Sequence, residues 1–112
     1  MEFTTQQIAS IQSEARAQWE DNDQDGELKN WIISEACSQA LNMVLNHEFP
    51  DNKDFQGSTP YVEQWYLSKD GKTVEITNVL HGRAFTEHDV NAMGKTASEI
   101  VTRALPELLA NG

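Results

Sequence analysis

Two strand-forming runs on either side of a tight-turn signal constrain the fold of this chain more than any other feature. Residues 61–67 and 73–80 are rich in aromatic and β-branched side chains, and the Asp70-Gly71 pair between them suits a two-residue type I′ turn. Because a two-stranded hairpin is only marginally stable alone, helices must cover its apolar face. The pairs expected on that face are Leu67 with Val74, Trp65 with Ile76 and Tyr61 with Leu80, broken only by Glu63 opposite Asn78.

Two segments that precede the hairpin have the apolar spacing of helices. The first runs from a cap at Thr4 or Thr5 to about Glu20 and has a narrow apolar stripe. The second covers residues 28–47 and is apolar over a broad arc. An arc of that width is typical of a central helix that packs on more than one neighbour, so we expect the second helix to form the spine of the core.

A third helix is expected after the hairpin. Thr86 and Asp89 have the spacing of a capping box, which places the start of the helix at Thr86. Pro106 lacks an amide proton and clashes with the preceding turn, so the helix should end or kink before it. Residues 81–85 either connect the hairpin to this helix or add a third strand.

Length and composition fit one domain over residues 1–112. The chain is 38% apolar and 23% charged, which is enough apolar content to form a core without disulfides. The order helix, helix, hairpin, helix predicts an α+β fold whose small antiparallel sheet is covered by helices on one face. Residues 46–60 are rich in Pro, Gly, Asn and Asp and are interpreted as a long polar loop.

The compartment is suggested by what the sequence lacks. No run approaches the ~18 consecutive apolar residues of a membrane-spanning helix. The N-terminus has neither the basic start nor the apolar run of a signal peptide. A single cysteine, Cys37, cannot form an intrachain disulfide, which favours a reducing, cytoplasmic location.

An acidic stretch between the first two helical segments reads D-N-D-Q-D-G-E-L over residues 21–28. Carboxylates occupy alternate positions, and a glycine that permits a sharp turn follows them. An EF-hand loop supplies calcium ligands from positions 1, 3, 5 and 7 and has glycine at position 6. The stretch therefore resembles the first eight positions of an EF-hand loop. The resemblance implies a calcium site formed by Asp21, Asp23, Asp25 and the backbone carbonyl of Glu27.

The second half of the EF-hand pattern is missing. Ile32 stands where the family has a bidentate Glu, and Lys29 stands where it has a ligand or a water-binding group. Losing the bidentate carboxylate removes two of the ~6–8 oxygens that calcium takes, so affinity should be weak, on the order of millimolar. The alternative interpretation is an acidic helix-to-helix turn, in which Gly26 has a positive φ and Asp25 or Asp23 caps the second helix.

No other pattern points to chemistry. Cys37 falls in the middle of the second helix without a cationic neighbour and is interpreted as a packed thiol. His47, His81 and His88 match no zinc-ligand spacing and are interpreted as exposed side chains. The sequence has no nucleophile elbow and no phosphate-binding glycine loop. We therefore expect a protein that is not an enzyme and has no cofactor beyond weakly bound calcium.

The distribution of charge gives the main functional prediction. The net charge is −10, and the first sixty residues hold eleven acidic and three basic residues. Such a field repels nucleic acid and anionic membranes and attracts basic protein surfaces. We expect an interaction module that inhibits a partner by occupying its nucleic-acid-binding surface, as phage and mobile-element accessory proteins that mimic nucleic acid do. The residues expected to contact the partner are Asp21, Asp23, Asp25, Glu27, Glu48, Phe49, Asp51, Asp54 and Phe55.

Two simpler interpretations of these features stay open. The first is that the charge only keeps a small domain in solution. The second is that surplus apolar surface on the second helix, at Trp31 or Leu45, forms a homodimer and makes the chain an accessory subunit.

Overall fold

The computed structural model describes residues 1–50 and 59–110, and five elements form this part of the chain. In chain order they are α1 (Thr5–Asp21), α2 (Leu28–Glu48), β1 (Tyr61–Leu67), β2 (Val74–Leu80) and α3 (Glu87–Leu109). The predicted α+β order of helix, helix, hairpin, helix is confirmed, and residues 81–85 connect β2 to α3 without adding a strand. No helix among the described residues combines the length and hydropathy needed to cross a membrane.

The first and third helices begin at reciprocal side-chain caps. At α1 the Thr4 hydroxyl accepts the backbone N–H of Gln7 at 3.0 Å, and the Gln7 side chain accepts the N–H of Thr4 at 2.8 Å. Thr86 and Asp89 form the same capping box at α3, as the sequence predicts. Each box satisfies two amide protons that a helix start leaves without partners, which fixes where the helix begins.

The second helix is the centre of the core, as its broad apolar arc predicts. It packs against α1 on one side, α3 on another and β1 on a third. Each fully buried Val, Leu or Ile contributes about 1.5–3 kcal/mol of transfer free energy, so this helix supplies much of the apolar stabilisation. Its buried residues are Ile32, Ile33, Ala36, Cys37, Ala40, Leu41, Val44 and Leu45. The last of these is covered by its own chain, so the dimer contact expected at Leu45 is wrong.

The third helix does not end before Pro106. It continues for about one further turn, so of the two expected outcomes, an end or a kink before Pro106, the end is wrong. Leu108 is completely buried, which holds the final turn against the core. The side-chain amide of Gln12 on α1 donates to the carbonyls of Glu107 and Leu108 at 3.1 and 3.0 Å. These tertiary contacts offset the hydrogen bond that proline removes from the helix.

The hairpin keeps three of the predicted pairs, but Asn78 pairs with Gln64 and not with Glu63 as expected, and the turn is different. Leu67 pairs with Val74, Trp65 with Ile76 and Tyr61 with Leu80. The turn is longer than a type I′ turn, because the N–H of Ser68 bonds to the carbonyl of Thr73 and leaves four residues in the loop. A type I′ turn needs positive φ at both central residues, and of the pair only Gly71 has it, at 73°. The expectation of a two-residue turn is therefore wrong.

The two ends of the hairpin present opposite faces to the core. Register irregularities fall near Gln64, where each strand has two consecutive exposed residues. A one-residue slip of alternation exchanges the faces of a strand. Val62 and Val79 consequently pack on the core, while Tyr61 and Leu80 are 57% and 37% exposed. The expectation that Tyr61 and Leu80 lie on the covered face is wrong.

Side chains of α3 bond to the outer edge of β2, where a third strand would otherwise pair. The hydroxyl of Thr102 accepts the N–H of Val74 at 3.0 Å and donates to the carbonyl of the same residue at 3.1 Å. One helical turn earlier, the hydroxyl of Ser98 accepts the N–H of Ile76 at 2.8 Å. Backbone groups on a part-buried edge are costly when unpaired, so these hydroxyls help two strands to form a stable layer.

Candidate interaction site

The acidic turn comprises residues 21–27, which are the last residue of α1 and the connection to α2, and its backbone is closely hydrogen-bonded. The N–H of Gln24 donates to the carbonyl of Trp19 at 2.8 Å, and the N–H of Asn22 donates to the carbonyl of Gln18 at 3.1 Å. Asp23 and Gln24 have positive φ values of 59° and 57°, and Gly26 has the expected positive φ, at 72°. Three residues in the left-handed region reverse the chain within a short connection.

Two tryptophans hold this turn from inside. The indole N–H of Trp19, at the end of α1, donates to the carbonyl of Gly26 at 3.0 Å. The indole N–H of Trp31, in the first turn of α2, donates to the carbonyl of Asp25 at 2.7 Å. The ring of Trp31 packs against the buried core, and Trp19 is half-buried. The backbone of the turn is therefore fixed by side chains of the helices that it connects.

The carboxylates of the acidic turn point into solvent. Asp21, Asp23, Asp25 and Glu27 are all exposed, and the described residues contribute one ion pair to the turn. That pair joins Lys29 to Glu27 at 3.5 Å, with both side chains largely solvated. An exposed pair of this kind neutralises little of the local field. The turn is consequently a fixed backbone that carries uncompensated negative charge.

The capping role expected of Asp23 or Asp25 is wrong. The cap residue of α2 is Glu27, and its side chain makes no capping bond. The carbonyl of Asp25 is held by an indole, and the backbone at Asp23 is left-handed. Because neither aspartate caps the helix, the side-chain oxygens of both are available to other ligands.

The geometry relevant to calcium is mixed. The backbone carbonyl of Glu27, which the EF-hand pattern assigns to the metal, accepts the N–H of Asn30 at 3.0 Å. Glu35, the next acid along α2, accepts hydrogen bonds from Gln18 at 3.0 Å and Gln39 at 3.3 Å. Within the described ranges, no three or more His, Cys, Asp or Glu side chains are grouped closely enough to hold a metal ion. Calcium binding at the acidic turn stays a prediction.

The partner surface predicted from sequence is divided by α2. The acidic turn precedes this helix, whereas Glu48 and Phe49 lie at its far end, about 30 Å away for 21 residues. Phe49 packs edge-on against Phe85 with ring centroids 5.2 Å apart, so its ring serves the fold. Glu48 is exposed at that distant end. The other predicted contacts, Asp51, Asp54 and Phe55, lie outside the described residues.

A cleft beside the acidic turn was not anticipated from sequence. Asn30, Trp31 and Ser34 of α2 line it together with Trp65 of β1. Both tryptophans are half-buried. The sequence signal for it is the inward register of Trp65. Because tryptophan is large and rarely buried completely, an inward tryptophan at the edge of a core leaves part of its ring in a surface cleft.

The expectation that all three histidines are exposed is wrong at His81, whose side chain is 17% exposed, whereas His47 and His88 are exposed. Burial raises the pKa of the Cys37 thiol to about 12, so this cysteine is a packed core residue, as expected. The ring of His81 bonds to the backbone carbonyl of Gly82 at 3.0 Å and lies 3.4 Å from the Glu87 carboxylate. The bond to Gly82, followed by that to Glu87, raises the pKa of His81 above its ordinary value.

No protein-family model, no curated protein and no solved structure matches this chain.

Proposed function

We propose that this protein is a small acidic interaction module that binds a basic surface of a partner protein through its acidic turn. The observation that carries the proposal is the combination of exposed carboxylates with a backbone fixed by the indoles of Trp19 and Trp31. The partner class that we infer is a protein that handles nucleic acid, because a nucleic-acid-binding surface is basic. The module would block that surface when bound.

The fixed backbone matters because binding costs conformational entropy. A flexible acidic segment must be ordered when it meets its partner, and that ordering reduces affinity. The acidic turn presents its charges already positioned, so little further ordering is needed. Carboxylates arranged in this way also steer a basic partner during encounter and raise the association rate at low salt.

The density of the charge favours a contact role over a surface that only maintains solubility. Five of the 18 acidic residues fall within the eight residues from Glu20 to Glu27. A charge distribution that served solubility alone needs no such concentration, because interspersed charges of both signs perform equally well. The concentration at one rigid turn supports a contact role.

Partner capture with matched variants tests the proposal. The tagged protein, a variant with Asp21, Asp23 and Asp25 changed to Asn, and a control with Glu14, Glu75 and Glu99 changed to Gln are used at low salt. Both variants lose the same number of charges from exposed positions. We expect the aspartate variant to lose the captured protein, the control to retain it, and added DNA or RNA to displace it. Equal capture by both variants contradicts the proposal.

Weak calcium binding is the second candidate, because Asp21, Asp23 and Asp25 are exposed and are not held by ion pairs within the described residues. Calcium titration followed by tryptophan fluorescence tests it, since Trp19 and Trp31 both bond to the turn. Saturation near millimolar calcium that is lost in the aspartate variant supports this candidate. An unchanged spectrum at that concentration eliminates it.

A further inference from the structure

All three tryptophans of the chain lie around the acidic turn. Trp19 and Trp31 bond to its backbone, and Trp31 and Trp65 together line the adjacent cleft. Trp31 links the two, because its ring lines the cleft and its indole N–H donates to the carbonyl of Asp25 at 2.7 Å. An aromatic surface and a negatively charged surface therefore share a boundary.

The cleft is small and largely open to solvent. Its volume is about 260 Å³, below the ~300–1,000 Å³ of pockets that bind whole drug-sized molecules. A single long side chain from a partner fits a space of this size. Asn30 and Ser34 supply an amide and a hydroxyl oxygen on the α2 side, and each can accept a hydrogen bond from such a side chain.

The chemistry of the walls selects a cation. Indole faces carry partial negative charge and attract guanidinium or ammonium groups, and the indole is the strongest of the aromatic side chains in this respect. The neighbouring carboxylates of Asp25 and Glu27 strengthen the same preference and oppose an anion. Lys29 is the basic residue nearest in sequence, and its ammonium lies 3.5 Å from the Glu27 carboxylate, so part of its charge is already matched.

Arginine fits this combination better than lysine. Its planar guanidinium stacks on an aromatic ring and presents several N–H donors in a fixed fork, whereas a lysine ammonium is a compact, strongly hydrated charge. We propose that the cleft between Trp31 and Trp65 is a receptor for one arginine side chain of the basic partner. This inference rests on the proposed function, because it specifies how the partner is held beside the acidic turn.

The experiment compares two short peptides of equal charge. One carries arginines between glycine and serine residues, and the other carries lysines at the same positions. Affinity is measured by fluorescence and by shifts of the three indole N–H resonances.

The variant is Trp65→Leu, chosen because the turn is held by Trp19 and Trp31 and not by Trp65. The matched control is Tyr66→Leu, which removes a neighbouring aromatic ring that is 53% exposed. Circular dichroism and thermal unfolding establish that both variants are folded.

We expect the arginine peptide to bind about three- to tenfold more tightly than the lysine peptide, which corresponds to a solvated cation–π contact. Trp65→Leu should abolish this preference, Tyr66→Leu should retain it, and the Trp31 and Trp65 indole resonances should shift most. An equal preference in Trp65→Leu and the wild type overturns the arginine receptor. Absence of binding by both peptides also overturns it.

The two proposals fail separately. If the Asp21, Asp23 and Asp25 variant still captures its partner, the proposed function of the acidic turn is wrong. If that variant loses the partner while Trp65→Leu leaves the arginine preference intact, the acidic surface stands and only the arginine receptor is wrong.

Discussion

The acidic turn and the junction between β2 and α3 both depend on side chains that bond to backbone groups, but with different consequences. At the junction, Ser98 and Thr102 close the edge of a strand that faces the core. At the turn, Trp19 and Trp31 fix a loop whose carboxylates are exposed to solvent. In the first region the polar side chains stabilise the fold, and in the second the charged side chains remain available for binding. Substitutions should therefore separate the two properties.

The largest effect is expected from Thr102→Val at the junction. The substitution keeps the shape of the side chain and removes the hydroxyl that bonds to both polar groups of Val74. A part-buried N–H and carbonyl left unpaired should lower the free energy of unfolding by about 1–3 kcal/mol, measured by urea denaturation. Thr96→Val is the control, because its hydroxyl bonds only to a carbonyl of its own helix, and it should change stability by less than about 0.5 kcal/mol. Partner capture should be unchanged in both.

Trp31→Phe should affect both the stability of the fold and the order of the turn, since Trp31 bonds to the turn and packs against the core. The phenyl ring retains most of the apolar surface but cannot donate to the carbonyl of Asp25. We expect a loss of about 1 kcal/mol in unfolding free energy and faster amide hydrogen exchange in the turn. Trp65→Phe is the comparison, and turn exchange should stay at the wild-type rate. Equal exchange in the two variants would show that the indole bond does not hold the turn.

Gly94→Ala should stabilise the junction. Gly94 is buried within α3 and its φ is not positive, so alanine fits the backbone. A methyl group there would meet Val79 at 3.6 Å and Ile76 at 3.9 Å, which are ordinary contact distances. Removing glycine from a helix interior should raise the unfolding free energy by about 0.5–1 kcal/mol. A decrease would mean that α3 and β2 already touch more closely at this point.

The smallest effect is expected from pH, at the connection between β2 and α3. The folded state raises the pKa of His81 through its bond to Gly82 and its proximity to Glu87. The contribution to stability is therefore fully present below the unfolded pKa of 6.5 and is lost as pH rises through the higher folded pKa. Thermal unfolding across this range should show a small decline that His81→Gln removes and His88→Gln retains. A decline that persists in His81→Gln would assign it to another group.

Local signals predict much of the fold, because they depend on residues close together in the chain. The Thr86 and Asp89 capping box and the pairing of Leu67 with Val74 are of this kind. Predictions fail where distant residues intervene. The helix passes Pro106 because Gln12, far away in sequence, bonds to the carbonyls that follow it. Tyr61 turns outward because an irregularity near Gln64 shifts the alternation of both strands.

The candidate site follows the same division. The alternating carboxylates at Asp21, Asp23 and Asp25 and the positive φ of Gly26 are legible in the sequence. The indole bonds that hold the turn and the cleft at Trp65 are not, since they depend on how α1, α2 and β1 pack together. Glu48 does not belong with the turn, because the helix predicted over residues 28–47 already separates the two by about 30 Å.

The most direct test of the acidic turn as a binding surface is the salt dependence of affinity for the captured partner. The dissociation constant is measured for the wild type, for the variant with asparagine at positions 21, 23 and 25, and for the control with glutamine at positions 14, 75 and 99. Contacts between exposed charges are screened as ionic strength rises. We predict a steep loss of affinity with salt in the wild type and the control, and weak, nearly salt-independent binding in the asparagine variant. Equal salt dependence in all three proteins would contradict the account.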